Sequence, residues 1–136
     1  MQQVDRHELN QMRCMMEVSS AKLAAEQMSA AELHSLEHLA LNMIQTKNKD
    51  LHTLDEEFHD ILLQGTKNKF MITIMQVFSD MCRESIEQTL AHASLEQLQQ
   101  LCQQHLTIAQ KMKAHDARGI EEAVIKHYEL LEEQKS

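Results

Sequence analysis

The sequence predicts an all-α domain, an antiparallel bundle of about six helices. Its 136 residues contain no proline and only two glycines, and they are rich in Leu, Met, Gln, Glu and Ala, which favour helix interiors. A chain of this length can bury a core, so residues 1–136 are expected to form one domain. Because there is no tryptophan and only 3% of the residues are aromatic, leucine and methionine must fill that core.

Apolar stripes at helical spacing and capping residues define the first two helices. The first is predicted from about Asp5 to Gln27. Ser29, followed by Glu32 three residues later, is a capping box that opens the second helix. The polar stretch from Thr46 to Lys49 separates it from the third. The residues expected to face inward are Leu9, Met12, Met16, Leu23 and Ala24 in the first helix and Leu33, Leu36, Ala40 and Met43 in the second.

The third helix is predicted from about Asp50 to Leu63, with Gly65 as its C-terminal cap. The fourth and longest is predicted from about Asn68 to His92. Its segment from Phe70 to Phe78 is apolar almost all round, which predicts a central or interface helix.

The last two helices begin at polar caps. Ser94, with Gln97 behind it, starts the fifth helix, and Asp116 caps the sixth. The first turn of the sixth helix contains Gly119, and the charged tail from Glu129 to Ser136 is expected to fray.

Charge and composition exclude several classes of function. The net charge of −8 and the lack of a basic patch argue against nucleic-acid binding by this chain itself. No apolar run reaches the length of a membrane span, and no signal-peptide core is present. Cys14, Cys82 and Cys102 are scattered and odd in number, as expected of reduced thiols that fill the core. These features predict a cytoplasmic protein without a membrane partner.

Four residues form a candidate metal site: Asp55, His59, His105 and His127. Asp55 and His59 lie one helical turn apart at the border of an apolar stripe. His105 and His127 each lie in the middle of an apolar stripe and are expected to point inward. A carboxylate at the core boundary needs a cation or strong donors, because leaving it unpaired there is costly. Three imidazoles and one carboxylate suit a divalent ion, with zinc the first choice and nickel, iron or manganese the alternatives.

Each of these residues also has a simpler interpretation. A single histidine on an apolar face is more often a hydrogen-bonded core residue than a ligand. The convergence of inward ligands from three segments favours the joint site. His34 and His38 are interpreted as solvated, and His52, one turn before Asp55, is placed at the rim of the pocket.

Three segments resemble a known family. They are MRCMMEVSSAKLAAEQMSAAELHSLEHL from Met12 to Leu39, LDEEFHDILLQGTKNKF, and KAHDARGIEEAVIKH. Their order and spacing are similar to the FCD class of effector domains, the C-terminal domains of GntR-type bacterial transcription regulators. The first includes that family's Arg and Glu four residues apart, here Arg13 and Glu17, and the second its Leu-Asp-x-x-Phe-His signature. One departure is His115, which stands where the family usually has glycine.

The resemblance implies an FCD-like bundle in which Asp55, His59, His105 and His127 hold a divalent ion with positions open to water or a small carboxylate. It also implies a metabolite-sensing, homodimeric effector domain that is not an enzyme. DNA would be contacted only through an N-terminal winged helix-turn-helix domain that this chain does not contain.

Two arginines are candidates for the carboxylate ligand, because a guanidinium group matches a carboxylate bidentately. Arg13 is the first candidate; the alternative is that it pairs with Glu17 on the helix surface. Arg83 is the second, with solvation as its alternative.

Two other functional classes stay open. A mononuclear metallohydrolase could use the same ligands with a metal-activated water, but it needs an acid or base, and only Glu56 and Glu57 lie adjacent. A stand-alone metal-binding bundle, or a purely structural one, is the other alternative.

Overall fold

The computed structural model describes residues 5–46 and 51–133, which contain six α-helices and no strand. The predicted all-α fold is therefore confirmed, and the predicted helix ends agree to within about two residues. The predicted start at Asp50, most of the polar stretch before it and the end of the charged tail lie outside the described residues. The helices are α1 Arg6–Gln27, α2 Ala30–Gln45, α3 Leu51–Gly65, α4 Lys69–His92, α5 Leu95–Lys113 and α6 Ala117–Glu133.

Helix α5 is the centre of the bundle. It packs most extensively against α2 and α6, while α1 packs against α6 and α3. Leucine, methionine and isoleucine fill the space between these helices, and burial of each such side chain contributes about 1.5–3 kcal/mol. The largest fully buried apolar side chains are Phe58, Leu33, Leu36, Met43, Leu62, Ile108, Met112 and Ile120.

The inward face of α1 differs from the predicted one. Met12 was predicted to face inward but is 45% exposed. The buried positions of α1 instead include Arg13, Glu17 and Ser20 beside small alanines. Ser20 Oγ donates to the carbonyl oxygen of Met16 at 2.8 Å, and the two charged groups find partners in the interior. Polar partners, rather than apolar area, therefore set the rotation of this helix.

Helix α4 lies at the periphery, so its prediction as a central helix was wrong. Only Met75 and Cys82 are buried among its residues. Phe70, Val77 and Met81 are 77%, 55% and 52% exposed. Of the apolar run, Phe70 and Val77 lie on the outer face of α4, while Met75 is buried. The alternative, an interface helix, remains a prediction.

Two turns use a left-handed residue that is not glycine. Gly65 is the last residue of α3 and has no positive φ; the left-handed residue is Lys67, with φ 54°. Gly65 packs closely against Met28, because a Cβ there would lie 2.5 Å from Met28 Sδ and that side chain would have to shift. His115, at the position of the family's glycine, has φ 55°. The turn thus keeps the conformation that a glycine there would favour, at a cost of about 1–2 kcal/mol.

We expect Ser29→Ala to lower the free energy of unfolding by about 1 kcal/mol and the melting temperature by about 3–5 °C. Ser29 Oγ accepts from the backbone N–H of Glu32, and the Glu32 carboxylate accepts from the Ser29 N–H, at 3.1 and 3.0 Å. The control is Ser35→Ala, the same change at an exposed position inside α2. Equal melting temperatures for the two variants would show that the capping box contributes nothing.

Candidate metal centre and ligand cavity

The four predicted metal ligands lie together at the centre of the bundle. One ligand atom from each of Asp55, His59, His105 and His127 lies within 4.8 Å of the others. Helix α3 supplies the first two, and α5 and α6 supply one histidine each. Asp55, His105 and His127 are buried and His59 is partly buried. Helical spacing places the α3 pair on one face, and the central position of α5 brings His105 against it.

The closest contacts converge on one carboxylate oxygen. His105 Nε2 lies 2.8 Å from Asp55 Oδ1 and 3.3 Å from His59 Nε2. His59 Nε2 in turn lies 3.4 Å from the same oxygen. Phe58 packs edge-on against the His105 ring, with centroids 4.9 Å apart, and this contact helps to hold its orientation.

The hydrogen bonds that His105 and His59 make through Nδ1 determine the protonation of the Nε2 atoms that face the centre of the cluster. His105 Nδ1 donates to the carbonyl oxygen of Leu101 at 2.6 Å. His59 Nδ1 donates to Glu17 Oε1. In the neutral rings both Nε2 atoms therefore carry a lone pair directed toward the Asp55 carboxylate. Three lone-pair-bearing atoms at such distances repel unless a proton or a metal ion lies between them.

The charges in the cluster shift several pKa values. Burial alone would raise the pKa of Asp55, but the neighbouring His59, with His105, holds it well below its usual range. Burial opposes a charge on His59, yet Glu17 and Asp55 raise its pKa to about 10. Burial, with the neighbouring His105 and His59, holds the pKa of His127 well below its usual range. Without a metal, the cluster therefore holds a proton on His59.

Glu17 is a site residue that sequence reasoning missed. Beyond its place in the family's Arg and Glu pair, the one role predicted for it is surface pairing with Arg13. Instead it is 4% exposed and accepts hydrogen bonds from His59 and from the hydroxyl of Tyr128. Burial alone would raise its pKa, but His59, assisted by Arg13, lowers it to about 2. The available signal was its position one turn before Ala21, on the side of α1 that carries the small residues. Tyr128 follows directly after His127 and was not singled out either.

Arg13 is buried rather than paired on the surface. It is 5% exposed, and its Nε is buried without a hydrogen-bond partner among the described residues. Its guanidinium carbon lies 5.6 Å from the centre of the Tyr128 ring, a cation–π distance. A buried guanidinium group with an unused donor is suited to an anionic group that approaches from the cavity.

A cavity of about 500 Å³ between α3 and α4 leads to this cluster. Arg13, Asp55 and His59 line it, and His52 lies at its wall as predicted. A smaller void of about 20 Å³ touches all four predicted ligands and Arg13. The remaining lining residues are Thr53, Glu56, Glu57, Asp60, Leu63, Gln76, Ser79, Asp80, Arg83 and Ile86.

Arg83 lies at the outer edge of the same cavity. Its Nη2 lies 3.0 Å from Asp80 Oδ1, and its Nε lies 3.4 Å from Glu56 Oε1. The side chain is 58% exposed. The guanidinium group of Arg83 is already paired with these two carboxylates, so Arg83 is the weaker of the two predicted arginine sites.

The sequence profile of the FCD domain family matches residues 8–130. The chain belongs to the FCD domain family. Such domains are the effector domains of GntR-type regulators, as the resemblance predicted. The structure is similar to that of McbR/YncC from E. coli, with a TM-score of 0.81 and 14% sequence identity over 98% of this chain and 68% of that one. No curated protein matches the sequence significantly.

The residues of this FCD domain fit a divalent metal ion. Three imidazoles and one carboxylate are a donor set that zinc and its neighbours accept. Glu17 and the Leu101 carbonyl oxygen orient two of the imidazoles from behind, as the outer hydrogen bonds of metal sites do.

None of the described helices is long and apolar enough to span a bilayer.

In metal-free protein we expect stability to fall as the pH rises from 6.5 to about 7.5, below the range in which unfolded thiols, with a pKa near 8.5, ionise. The pKa of His59 is about 10 in the folded chain and near 6.5 when unfolded, so its contribution is complete below pH 6.5 and is lost as the pH rises through 10. The fall is at most about 1.4 kcal/mol per pH unit. Thermal melts in the presence of a chelator measure it.

The Glu17→Gln variant should show a shallower fall, because it removes one of the two carboxylates that hold the His59 proton. The control is His38→Gln, at an exposed position of α2, which should keep the wild-type slope. A wild-type melting temperature that does not change over this pH range would contradict a charged His59.

Proposed function

We propose that this FCD domain senses a small carboxylate metabolite through a divalent metal ion held by Asp55, His59, His105 and His127. The convergence of the His59 and His105 Nε2 atoms on the Asp55 carboxylate supports this most directly, since a divalent ion at the centre would bind all three atoms and replace the proton that otherwise lies between them. Zinc is the first choice, with nickel, iron and manganese as the alternatives.

Arg13 is the proposed contact for the ligand carboxylate. Its charge is buried beside the metal cluster, its Nε lacks a described partner, and it lines both the large cavity and the inner void. Arg83 at the outer edge is the proposed second contact. A bound metal would supply Lewis acidity for a carboxylate oxygen, and the guanidinium group of Arg13 would orient the other oxygen.

Binding, rather than catalysis, is the proposed role of the site. A hydrolase needs a general base near the metal, but the buried Glu17 is already bonded to His59 and Tyr128. Glu56 and Glu57 are exposed at the rim. In a cytoplasmic regulator, the ligand would change operator affinity only by its different affinity for two states, and DNA would be read by an N-terminal domain outside this chain.

A second copy of the chain is the proposed partner of α4. Phe70, Val77 and Met81 are exposed, and with the half-buried Ile74 they are spaced four, three and four residues apart. This spacing puts them in one stripe along the outer face, like the seam of a coiled coil. An exposed apolar stripe of this kind marks an interaction surface.

The stripe is complementary to itself when two α4 helices run antiparallel. In that register large apolar side chains meet each other, and a basic residue before the helix meets an acidic residue near its end. The opposed pairs are Phe70 with the partner subunit's Met81, Ile74 with the partner subunit's Val77, and Lys67 with the partner subunit's Glu84.

The two faces of α4 would connect ligand binding to the dimer. Gln76, Ser79 and Asp80 line the cavity, while the apolar stripe lies on the opposite side. A ligand that contacts the inner face can therefore favour one position of α4, and that position sets the arrangement of the proposed dimer.

Purified protein should bind about one divalent ion per chain, and His105→Ala should lose it, because the variant removes a central ligand. Mass spectrometry of metal content measures this, with His38→Ala as the exposed-histidine control. Glu17→Gln should weaken metal binding about 10- to 100-fold.

Small carboxylates should raise the melting temperature of the metal-loaded form only. If wild-type protein holds no ion after exposure to zinc, nickel, iron and manganese, the proposed site is wrong.

Phe70→Glu and Val77→Glu should each convert the dimer to monomer in sedimentation experiments, since a buried carboxylate in the seam lacks a partner. Leu95→Glu is the matched control, because Leu95 is 63% exposed on α5, away from the stripe. Glu84→Lys alone should weaken the dimer, and Lys67→Glu in the same chain should restore it. Dimers that persist in both stripe variants would place the interface elsewhere.

A further inference from the structure

The cavity between α3 and α4 carries an excess of negative charge. Five carboxylates and two guanidinium groups line it, and a divalent ion at the metal cluster, with neutral histidines, would still leave one negative charge in excess. The carboxylates belong to Asp55, Glu56, Glu57, Asp60 and Asp80, and the guanidinium groups to Arg13 and Arg83. A ligand with two negative charges would meet net repulsion in such a cavity.

The charges are separated along the depth of the cavity. Arg13, 5% exposed and with an unpartnered Nε, lies at the inner end beside Asp55 and His59. Four of the carboxylates lie at the exposed rim, on α3 and α4. A metal ion would add positive charge at the inner end. With the proposed metal bound, the cavity would be positive at its inner end and negative at its mouth.

Two of the rim carboxylates have no ionic partner among the residues that the structure describes. Arg83 is engaged by Asp80 and Glu56, and His52 Nε2 also lies 3.4 Å from Glu56. Glu57 and Asp60 form no ion pair with any residue in the described ranges, 5–46 and 51–133. They lie three residues apart on α3 and so project from the same side of the helix, toward the cavity that both line.

We infer that the metabolite is an amino carboxylate rather than a plain mono- or dicarboxylate. This inference rests on the proposed function: the ligand carboxylate binds Arg13 and the metal at the inner end. Its ammonium group lies at the mouth, near Glu57 and Asp60. Such a zwitterion adds no net charge to the cavity and places each of its charges next to the opposite one. A dicarboxylate places its second charge against the acidic rim, which selects against it.

The size of the cavity is compatible with such a ligand. Its volume of about 500 Å³ lies within the range of small-molecule sites, and it leaves room for a chain of several carbons with accompanying water.

The test uses three five-carbon probes that differ only at the end remote from the shared carboxylate. Pentanoate ends in a methyl group, glutarate in a second carboxylate and 5-aminopentanoate in an ammonium group. Calorimetric titration into the zinc-loaded chain should show 5-aminopentanoate binding about three- to tenfold more tightly than pentanoate, as expected for exposed ion pairs, and glutarate more weakly than pentanoate. Added salt should reduce both differences.

The double variant Glu57→Gln, Asp60→Asn should abolish the advantage of the amine, and it should strengthen glutarate binding more than pentanoate binding. The control, Glu26→Gln with Glu122→Gln, removes the same charge from exposed positions that do not line the cavity. It should keep the wild-type order of affinities, which separates a local effect from one of net charge.

Each outcome bears on a different claim. If pentanoate or glutarate binds wild-type protein as tightly as 5-aminopentanoate, the amino-carboxylate inference is wrong, but the carboxylate-sensor proposal stands. If the zinc-loaded chain binds none of the three probes, both are wrong. If the amine is preferred equally in the double variant, the acidic rim is not the cause, and the inference is overturned.

Discussion

The clamping of His59 between two buried carboxylates is the interaction on which the interior of this domain depends. Asp55 and Glu17 contact opposite nitrogens of the ring. Either carboxylate alone would be costly to bury, because its charge would lose water without gaining a cation. The arrangement requires α1 to turn its polar side inward, and it requires the histidines of α5 and α6 to complete the cluster. A polar centre therefore determines how an otherwise leucine-rich bundle is assembled.

Helix α4 follows from the same constraint. The charged cluster and the apolar core are both complete without it, so α4 buries only Met75 and Cys82 and leaves a cavity on its inner side. Three of its large apolar residues, Phe70, Val77 and Met81, are turned outward. A helix with a polar inner face and an apolar outer face is suited to bind a ligand on one side and another chain on the other.

Much of the fold and of the candidate site could be predicted because the relevant signals are local. The cap at Ser29 and the apolar spacing around His105 and His127 depend only on neighbours within a few residues. The error at Met12 arose because α1 has two possible inward faces, and apolar content favoured the wrong one. Glu17 lies on the inward face that was not chosen. Its burial could not be predicted locally, because its partners, His59 and Tyr128, are 42 and 111 residues away in the chain.

By itself, the sequence determined the helical class, the approximate ends of the helices and the four residues that converge at the centre, because each follows from local hydrogen bonding and helical periodicity. The tertiary structure decided which face of α1 is buried, that Arg13 and Glu17 lie inside, and that α4 is peripheral. It also decided that Gly65 serves close packing against Met28 instead of a left-handed turn. These features depend on which side chains from distant segments meet, and on the free energy of pairing or burying their charges, which no single helix encodes.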